Sequence, residues 1–438
     1  MKIRNLLGQM IGALVLLLLS PVWSAAQSAG NAVPVVTLQQ ARERAVAIDP
    51  RGVAARADVA AATWARRGAA ADLITPHLSA ATSYTSFSEP FFNLGTGEIS
   101  SAATSATLQA SYTIFGRGKF AELKRARAEF ESAAAGETAT TFGIALTIDA
   151  AYYAVLVEGE LARVAAARLE RAEEQLSIAR ARVNSGSAIA SDSLQLLLEL
   201  NKARLDQIRR DSALKVARLS LGRGIGLSGP ADAAPVETSQ LPPLPITQEQ
   251  AVAELRTRGP DIVAARAAEQ HAEAMVGVQR EAYLPEITLA ATVGAYDSEL
   301  FPTARNRSQL LVNVALPIWN GGHREVAMAR ARAERDVAKA QRDERERAAA
   351  ERIAAALNGY ETARTAHELS QVGVTAATEN YRVQRARYRE GSTTILDLVE
   401  AQVALSEAES ARVQSRYAAR LALAQVEALL GRRLFDNN

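Results

Sequence analysis

The sequence predicts a mainly α-helical chain with a small β part, in which long antiparallel coiled-coil helical hairpins continue a few amphipathic strands. Two observations predict this class. First, no proline occurs from Phe91 to Gly229 or from Ile318 to the C-terminus. Because a proline inside a helix costs about 3 kcal/mol, both regions permit very long helices. Second, runs that alternate between apolar and polar residues precede both regions, and a period of two indicates β-strands.

Composition argues against several classes of function. The chain has 438 residues, no cysteine, and 50 basic against 48 acidic side chains. Without cysteine we expect no disulfide framework, no thiolate metal site, no cysteine nucleophile and no lipid-modified N-terminal cysteine. The near-neutral charge argues against nucleic-acid binding, and the four histidines lack the i, i+4 spacing of a helical metal site. We therefore expect no metal, no cofactor and no nucleic acid.

The first 26 residues have the layout of a secretory signal peptide. Lys2 and Arg4 precede an apolar stretch at 12–19, and the small residues at 24–26 predict cleavage after Ala26. The alternative is an N-terminal anchor helix, although the apolar stretch is shorter than the about 20 residues of a membrane span. Removal of this segment leaves 48 basic and 48 acidic groups. We therefore expect an exported and formally neutral mature chain.

The chain is predicted to be a tandem duplication. Segments of the first half recur in the second half in the same order, at offsets between 204 and 210 residues. The clearest pairs are Asp49-Pro50 with Gly259-Pro260, Thr75-Pro76 with Leu284-Pro285, Gly186-Ser187 with Gly391-Ser392, and Leu221-Gly222 with Leu430-Gly431. Five prolines at 230–245 indicate an irregular connector. We divide the mature chain into a first repeat at 27–229, a proline-rich connector at 230–246 and a second repeat at 247–438.

Each repeat is predicted to begin with helix and to continue with two strands. Thr37–Asp72 is rich in Ala, Arg and Glu and is expected to be helical, with a break at Pro50. A loop is expected from Pro90 to Ser101. In each strand, an apolar face alternates with a second face that is mostly Ser, Thr, Gln or Asn. The strands are expected within His77–Ser88, Thr107–Phe115, Ile287–Ala295 and Leu310–Ile318.

These strands have the length that a tilted strand needs to cross a bilayer, about 9–11 residues. The alternative is an antiparallel sheet that lies on a soluble core. Four strands cannot close a membrane barrel, because the smallest single-chain barrels have about eight, and an open edge in hydrocarbon is untenable. A barrel therefore requires oligomerisation. Two chains would supply about eight strands and three about twelve, and only the larger barrel leaves an appreciable channel.

Two very long helices are predicted, from Lys119 to about Val183 and from His323 to about Tyr388. Each has roughly 65 residues and a length of about 100 Å. Each ends at a Ser/Gly turn, where glycine takes the left-handed C′ conformation and Ser or Thr supplies the next N-cap. An ordinary helical bundle would not explain why both hairpins share this turn chemistry. Return helices are expected from about Asp192 to Leu221 and from about Asp397 to Leu430.

This arrangement resembles the TolC family of outer-membrane efflux proteins over about Thr37–Leu434. The most specific match is Tyr388–Asp397, which is similar to the family's tunnel-tip turn, and Asn184–Asp192 is similar to the matching turn of the first repeat. The resemblance implies a homotrimer whose twelve-stranded transmembrane β-barrel lies in the outer membrane of a Gram-negative-type bacterium and continues as a helical tunnel through the periplasm. The implied partners are a periplasmic adaptor (membrane fusion) protein, an inner-membrane pump of the RND or ABC type, and outer-membrane lipid.

The resemblance also implies roles for residues at the tip. Asp397 and Glu400 fall where the family places acidic rings at the pore constriction. Such carboxylates would raise one another's pKa and favour cations. Tyr388 and Asp192 fall where the family links its inner and outer hairpins. Thr393 replaces an arginine of the most similar family member, which implies a looser or differently bonded closed state. The hairpin turns and adaptor contacts are expected at Gly186, Ser187, Gly391 and Ser392.

Three of these assignments have a simpler alternative. Acids in the first turn of a helix, such as Asp397 and Glu400, complement the helix dipole, and Tyr388 is equally suited to be a packing aromatic.

A separate motif, Gly224–Gly229, fits the dinucleotide pattern G-x-G-x-x-G. That motif requires a preceding strand and a following helix, whereas this segment follows a predicted helix, so we reject nucleotide binding.

We expect a passive, non-enzymatic exit duct of a tripartite efflux or type I secretion system, gated at its periplasmic helical tip. Energy would come from the pump, because the sequence has no phosphate-binding loop and no convergent catalytic residues. The alternative from another class is a soluble periplasmic coiled-coil scaffold or adaptor without a channel. The strands, two in each repeat and long enough to span a bilayer, count against that alternative.

Overall fold

A computed structural model describes residues 33–94, 96–116, 118–236, 242–298 and 305–435. The predicted signal peptide lies outside these residues, as does part of the predicted connector. From Val35 onward the described residues pack as one unit. The elements, in chain order, are β1 Val35–Val36, α1 Leu38–Ile48, α2 Pro50–Ala71, β2 His77–Asn93, β3 Glu98–Phe115, α3 Lys119–Asn184, α4 Ala190–Gly224, β4 Asp232–Ala233, α5 Gln248–Arg258, α6 Pro260–Glu281, β5 Glu286–Asp297, β6 Arg305–Ala315, α7 His323–Arg389 and α8 Ile395–Leu430.

Each half begins with a helix that proline divides in two, as the sequence predicted. Thr37 and Thr247 form capping boxes at the starts of α1 and α5, which satisfy free N–H groups of the first turn. Pro50 and Pro260 are the first residues of α2 and α6. Proline fits this position because its missing N–H would have no partner there anyway. The same local chemistry therefore produces the same break twice.

The two predicted long helices are confirmed. Helix α3 has 66 residues and α7 has 67, so each is about 100 Å long. Helix α3 also contains an 18-residue stretch that is long and apolar enough to cross a membrane by length and composition alone. Only a third of that stretch is buried within the chain. Since α3 packs along α2, α4, α6 and α8, we treat it as a bundle helix with one face still uncovered.

Four strands form an antiparallel sheet in the order β2-β3-β5-β6. The predicted loop from Pro90 to Ser101 is wrong, because β2 continues to Asn93 and β3 begins at Glu98. The pairing of β2 with β3 shifts register between Ser86 and Phe91, and this irregularity hides the alternation in the sequence. Pro90 lies within this register break, and proline is tolerated at such an irregularity because it interrupts no regular ladder bond.

The last strand is also displaced from its prediction. Strand β6 was expected over Leu310–Ile318 but spans Arg305–Ala315. Pro317 accounts for the earlier end, since proline cannot donate to a ladder and restricts the residue before it. Residues 316–322 form a linker between β6 and α7.

A short parallel pair of strands, β1 with β4, ties the start of the chain to the end of the first half. Next to it, the Arg42 guanidinium donates to both oxygens of the buried Asp149 carboxylate, at 2.6 and 2.5 Å. The hydroxyl of Tyr152 donates to Ala234 O at 2.7 Å. Strands of two residues leave no periodic pattern, so this strap of β1 and β4 could not be predicted from the sequence. The Arg42–Asp149 pair beside it fixes α1 against the middle of α3.

The glycine-rich segment at 224–229 ends a helix. Gly224 is the last residue of α4, and Gly226 has a φ of +77°, which glycine adopts without the steric cost of a Cβ. The chain then folds back, so that a Cβ on Gly222 would lie 2.0 Å from Gly229 O. The glycines thus permit a close approach between two backbone segments at a helix C-terminus, which is the opposite context from a dinucleotide site.

Gly222→Ala is expected to destabilise the fold, because the new methyl group would meet backbone that cannot rotate away. The matched control is Gly136→Ala in α3, where a Cβ meets nothing within 4 Å and alanine should add up to about 1 kcal/mol of helix stability. Thermal unfolding followed by circular dichroism should give a lower Tm for Gly222→Ala and an equal or higher Tm for Gly136→Ala. Equal Tm values for Gly222→Ala and the parent chain would contradict the close contact.

Candidate functional site

The register of the sheet brings the apolar residues of all four strands to one face. Leu78 pairs with Ala110, Ala110 with Ala291, and Ala291 with Leu310. The next row along the strands contains Tyr112, Leu289 and Val312. Leu78, Leu310 and Val312 are exposed, so no described element covers this part of the face. A large uncovered apolar face on a soluble chain marks an interaction surface.

The opposite face of the same sheet is predominantly polar. Ser79, Gln109, Thr292 and Gln309 form one row across the four strands, and Thr113, Thr288 and Asn313 form another. The apolar–polar alternation predicted for the separate strands is therefore confirmed, and pairing aligns it across the four strands in these rows. A sheet of this kind separates an apolar environment from an aqueous one.

The sheet is open at both sides. Among the described strands, β2 and β6 stand at the two ends of the order and pair on one side only. Strand β2 has 17 residues and β6 has 11. Long exposed edges present rows of unpaired N–H and C=O groups, which readily add a further strand.

The helical bundle, like the sheet, has two outer elements that are covered on one side only. Toward the hairpin turns, α3 packs against α4 and α8, and α8 packs against α7, so α4 and α7 are the outermost helices. Helix α4 carries exposed apolar side chains that are mostly three, seven or eight residues apart, which places them along one stripe of the helix, as in a coiled-coil seam. They are Leu194, Leu197, Leu198, Leu205, Ile208, Val216 and Leu219.

The hairpin turns have the predicted glycine geometry. Gly186 and Gly391 have φ of +76° and +77°, and the amides of Ser187 and Ser392 donate to carbonyls five residues earlier, at 2.8 and 2.9 Å. This pattern closes the C-terminus of a helix. All four residues are exposed.

The predicted Ser or Thr N-cap is present after only one of the two turns. Thr394 caps α8 through a capping box. Helix α4 instead begins after Ile189, with no side-chain cap, so the prediction is wrong there. The hydroxyls of Ser185 and Ser187 lie 3.1 Å apart, and Ser185 donates to Arg182 O. The hydroxyls of Ser185 and Ser187 therefore make contacts within the turn that follows α3, and both residues lie too early in the chain to cap α4.

Asp397 and Glu400 lie exposed near the start of α8. One Asp397 oxygen accepts hydrogen bonds from the hydroxyls of Thr393 and Thr394, at 2.9 and 2.6 Å, and from the Thr394 amide at 3.1 Å. These donors lower the pKa of Asp397, the Thr394 hydroxyl contributing most. Asp397 thus completes a helix cap within the single chain. Thr393 donates inside its own hairpin to Asp397.

Tyr388 lies between the hairpins, at 2% exposure. The Arg182 guanidinium of α3 lies 4.7 Å from the ring centroid and also donates to Tyr388 O. The Tyr388 hydroxyl has no hydrogen-bond partner among the described residues. Burial, with a further contribution from the charge of Asp192, raises the pKa of Tyr388, and Arg182 opposes the shift. Asp192 is thus close enough to act on Tyr388 electrostatically, and a direct link between them stays a prediction.

Several contacts between the hairpins were not found in the sequence. Glu174 of α3 accepts from Arg389 of α7 at 2.8 Å and also from Arg385. The next residue of α3 is the buried Gln175, whose amide donates to the Tyr381 hydroxyl of α7 at 2.9 Å. The Gln175–Tyr381 pair is separated by 206 residues, which falls within the predicted offset of 204 to 210 between the two halves, whereas the Glu174 pairs are separated by 211 and 215. The predicted offset was thus a signal for the Gln175–Tyr381 contact and not for the two ion pairs.

Arg182→Gln is expected to loosen the turn of the second hairpin, because it removes both the hydrogen bond to Tyr388 O and the cation over its ring. Losing a contact of this kind costs about 0.5–1.5 kcal/mol, so amide exchange should accelerate roughly two- to tenfold. Hydrogen–deuterium exchange of a peptide covering 384–394 measures this. Arg204→Gln, which breaks a pair with Glu173 within the first hairpin, is the control. Equal exchange rates in the two variants would contradict a specific role for Arg182.

The comparisons with known proteins agree on one family. The profile of the family described as outer membrane efflux protein matches residues 37–227 and 251–432. The outer membrane protein OprJ of Pseudomonas aeruginosa is 28% identical over 277 residues, which are 61% of this chain and 57% of OprJ. The pyoverdine export outer membrane protein OpmQ of the same species is 28% identical over 325 residues, 72% of this chain and 67% of OpmQ. The matched part of OprJ is therefore less than two thirds of its length.

A solved structure shares the fold over most of the chain. The structure of the MtrE outer membrane channel of Neisseria gonorrhoeae, described as its open state, superposes with a TM-score of 0.76 and 22% identity. The superposition covers 91% of this chain and 89% of MtrE. The family profile covers most of the chain, in two segments that each contain a strand pair and a long hairpin. The chain belongs to the outer membrane efflux protein family.

Proposed function

We propose that the chain forms a homotrimeric exit duct in the outer membrane, a passive and non-enzymatic component of a tripartite exporter. The observation that carries this proposal is the sheet, which has one apolar face, one polar face and two open edges. In hydrocarbon every backbone polar group must be paired, so an open sheet cannot remain there as a single chain.

Closure by copies of the chain satisfies this requirement. Three four-stranded sheets supply twelve strands, with β2 of one copy paired with β6 of the next. The apolar rows would then face lipid, and the rows of Ser, Thr, Gln and Asn would face an aqueous lumen. A barrel of two copies would have about eight strands and an interior filled by side chains. Because a duct must leave room for a solute to pass, the twelve-stranded trimer is favoured over the eight-stranded dimer.

The helices support the same closure. Helices α4 and α7 are the outermost helices of the hairpin half, and α4 carries an exposed apolar seam. We propose that this seam packs against α7 of the neighbouring copy, so that twelve hairpin helices enclose a periplasmic tunnel. Membership of the outer membrane efflux protein family favours this duct over a soluble periplasmic scaffold, and so does the uncovered apolar face of the sheet.

At the tip, we propose that the cross-hairpin contacts hold the closed state. Glu174 bonded to Arg385 and Arg389, together with Arg182 against Tyr388, supplies the link that Thr393 does not. Asp397 and Glu400 would line the constriction in three copies. A periplasmic adaptor would contact the exposed turns at Gly186-Ser187 and Gly391-Ser392 and would favour an open arrangement of the hairpins. The inner-membrane pump supplies the energy.

The organisation of the chain fits this assembly. We propose that 27–229 and 247–438 are tandem repeats joined by a connector at 230–246, each contributing two strands and one hairpin. The name of the relative OpmQ refers to pyoverdine export. We propose that export is the activity this chain shares with OpmQ. We propose that the pump selects the cargo, since the lumen would be lined by Ser, Thr, Gln and Asn, which are not specific for one solute.

The protein purified in detergent should have the mass of three chains, and planar bilayers containing it should show discrete conductance steps. Sedimentation that subtracts bound detergent measures the mass.

Val312→Arg places a charge on the proposed lipid face and should reduce insertion, since it costs about 2–4 kcal/mol at mid-membrane. Asn313→Arg, one residue along on the other face, is the matched control. A monomer, or loss of insertion by Asn313→Arg alone, would reject the barrel.

Asp397→Asn is expected to weaken cation selectivity, measured as the reversal potential across a salt gradient. Because hydroxyl donors lower the pKa of Asp397, the carboxylate stays ionised above that lowered pKa and loses its charge as pH falls through it. Thr393→Val removes one donor and should raise this pKa, so selectivity should disappear at a higher pH than in the parent protein. A reversal potential unchanged in Asp397→Asn would place Asp397 outside the lumen. A pH profile unchanged in Thr393→Val would show that the Thr393 hydroxyl does not lower the pKa of Asp397.

A further inference from the structure

A cavity of about 510 Å³ lies between α3 of the first half and four helices of the second half. It adjoins the end of α8, the end of α5 and the start of α6, and the long helices α3 and α7 line it along their sides. Most of the lining residues are Ala, Leu, Ile, Phe or Pro. A mainly apolar cavity of this volume is large enough to hold a small organic molecule.

Helices α3 and α7 line the cavity at equivalent positions of the two halves. Three positions of each helix form pairs that are 206 residues apart, within the offset predicted for the duplication. The pairs are Ala139 with Arg345, Gly143 with Ala349, and Leu146 with Arg352. A spacing of four and then three residues places each set on one face of its helix. The α3 side of the cavity is therefore small and apolar, whereas the α7 side carries two guanidinium groups.

The two arginines give the cavity an excess of positive charge at one end. Asp261 is the one carboxylate among the described residues that line the cavity. Its Oδ2 lies 3.9 Å from the Arg352 guanidinium, and its backbone oxygen accepts from Arg345 at 3.4 Å. Because both guanidinium groups approach the same residue, they converge, and because both distances are long, each has N–H donors left for an anion. The dipoles of α6 and α8 oppose each other here, since one helix begins and the other ends.

We propose that this cavity binds a small amphipathic anion, a molecule with an apolar body and one carboxylate or sulfonate group. The apolar body packs against Phe142 and Leu146 of α3, and the anionic group accepts hydrogen bonds from Arg345 and Arg352. A guanidinium group is a planar fork of donors that suits such oxygens. The cavity is formed within one chain, so this inference goes beyond the proposed duct and does not depend on a neighbouring copy.

Protection of an introduced thiol tests this binding, because the chain has no cysteine of its own. Gly143→Cys places a thiol in the cavity, and the matched control Gly136→Cys places one two turns earlier on α3, outside the lining. At either glycine a Cβ meets nothing within 4 Å. In phosphatidylcholine vesicles, naphthalene-1-sulfonate at twice its Kd should slow labelling of Gly143→Cys by N-ethylmaleimide about threefold. Labelling of Gly136→Cys should not change, and the cation 1-naphthylmethylammonium should protect neither variant.

Arginine variants in the Gly143→Cys background test the anion contact. Arg345→Gln and Arg352→Gln should each raise the concentration of naphthalene-1-sulfonate needed for protection by roughly tenfold, because each removes a charged hydrogen-bond donor. The matched control is Arg347→Gln, which lies on the exposed side of α7 and pairs with Glu344 at 2.8 Å. This control should leave the protection unchanged, and an equal loss of protection in all three variants would contradict the assigned contacts.

Three results would overturn the proposal. Equal protection by the sulfonate and the ammonium compound would show that the arginines select no anion. No protection of Gly143→Cys, or equal protection of Gly136→Cys, would reject binding in the cavity. A Gly143→Cys thiol that N-ethylmaleimide cannot label without the sulfonate would show that a neighbouring chain covers the cavity. Conductance of the same vesicles reports on the duct separately: conduction without protection keeps the duct and rejects the binding site, and protection without conduction does the reverse.

Discussion

The backbone along the free edges of β2 and β6 is the constraint on which the rest of the structure depends. Unpaired N–H and C=O groups are tolerated in water, but each costs several kcal/mol in hydrocarbon. In the proposed duct, a sheet with one face towards lipid therefore needs copies of the chain to pair its edges. The exposed apolar residues of α4 would serve the same purpose in the helical half, since the wall of the proposed tunnel needs a neighbour on each side.

The tip shows how a nearly neutral chain distributes its charge. The charges of the basic and acidic side chains almost cancel over the whole sequence. Several of these side chains form ion pairs that join one hairpin to the other. Arg171 with Glu409 and Glu174 with Arg389, each at 2.8 Å, lie along the length of this contact. Partly exposed pairs of this kind contribute little individually. A contact built from several weak pairs and one buried Gln175–Tyr381 bond is suited to separate and re-form.

Most of the fold could be predicted because its signals are local. Proline fixes the breaks at Pro50 and Pro260, glycine fixes both hairpin turns, and alternation marks the strands. Predictions failed where a distant element decides the outcome. The irregular pairing around Pro90 depends on β3, and the two-residue strands β1 and β4 exist only because each finds the other. At the tip, the resemblance pointed to Tyr388, but its partner Arg182 depends on how two long helices align, which no single motif encodes.

The strap between β1 and β4 has a consequence for the order in which the protein folds. Val35 pairs with Asp232, almost two hundred residues later, and Arg42 pairs with Asp149. Contacts of such long sequence separation are slow to form, because the loop between them must be closed first. Helix α1 precedes both of these partners in the chain, so a chain that becomes available for folding from α1 onward exposes this helix before its partners arrive. The docking of α1 is thus secured only once the first half of the described chain is complete.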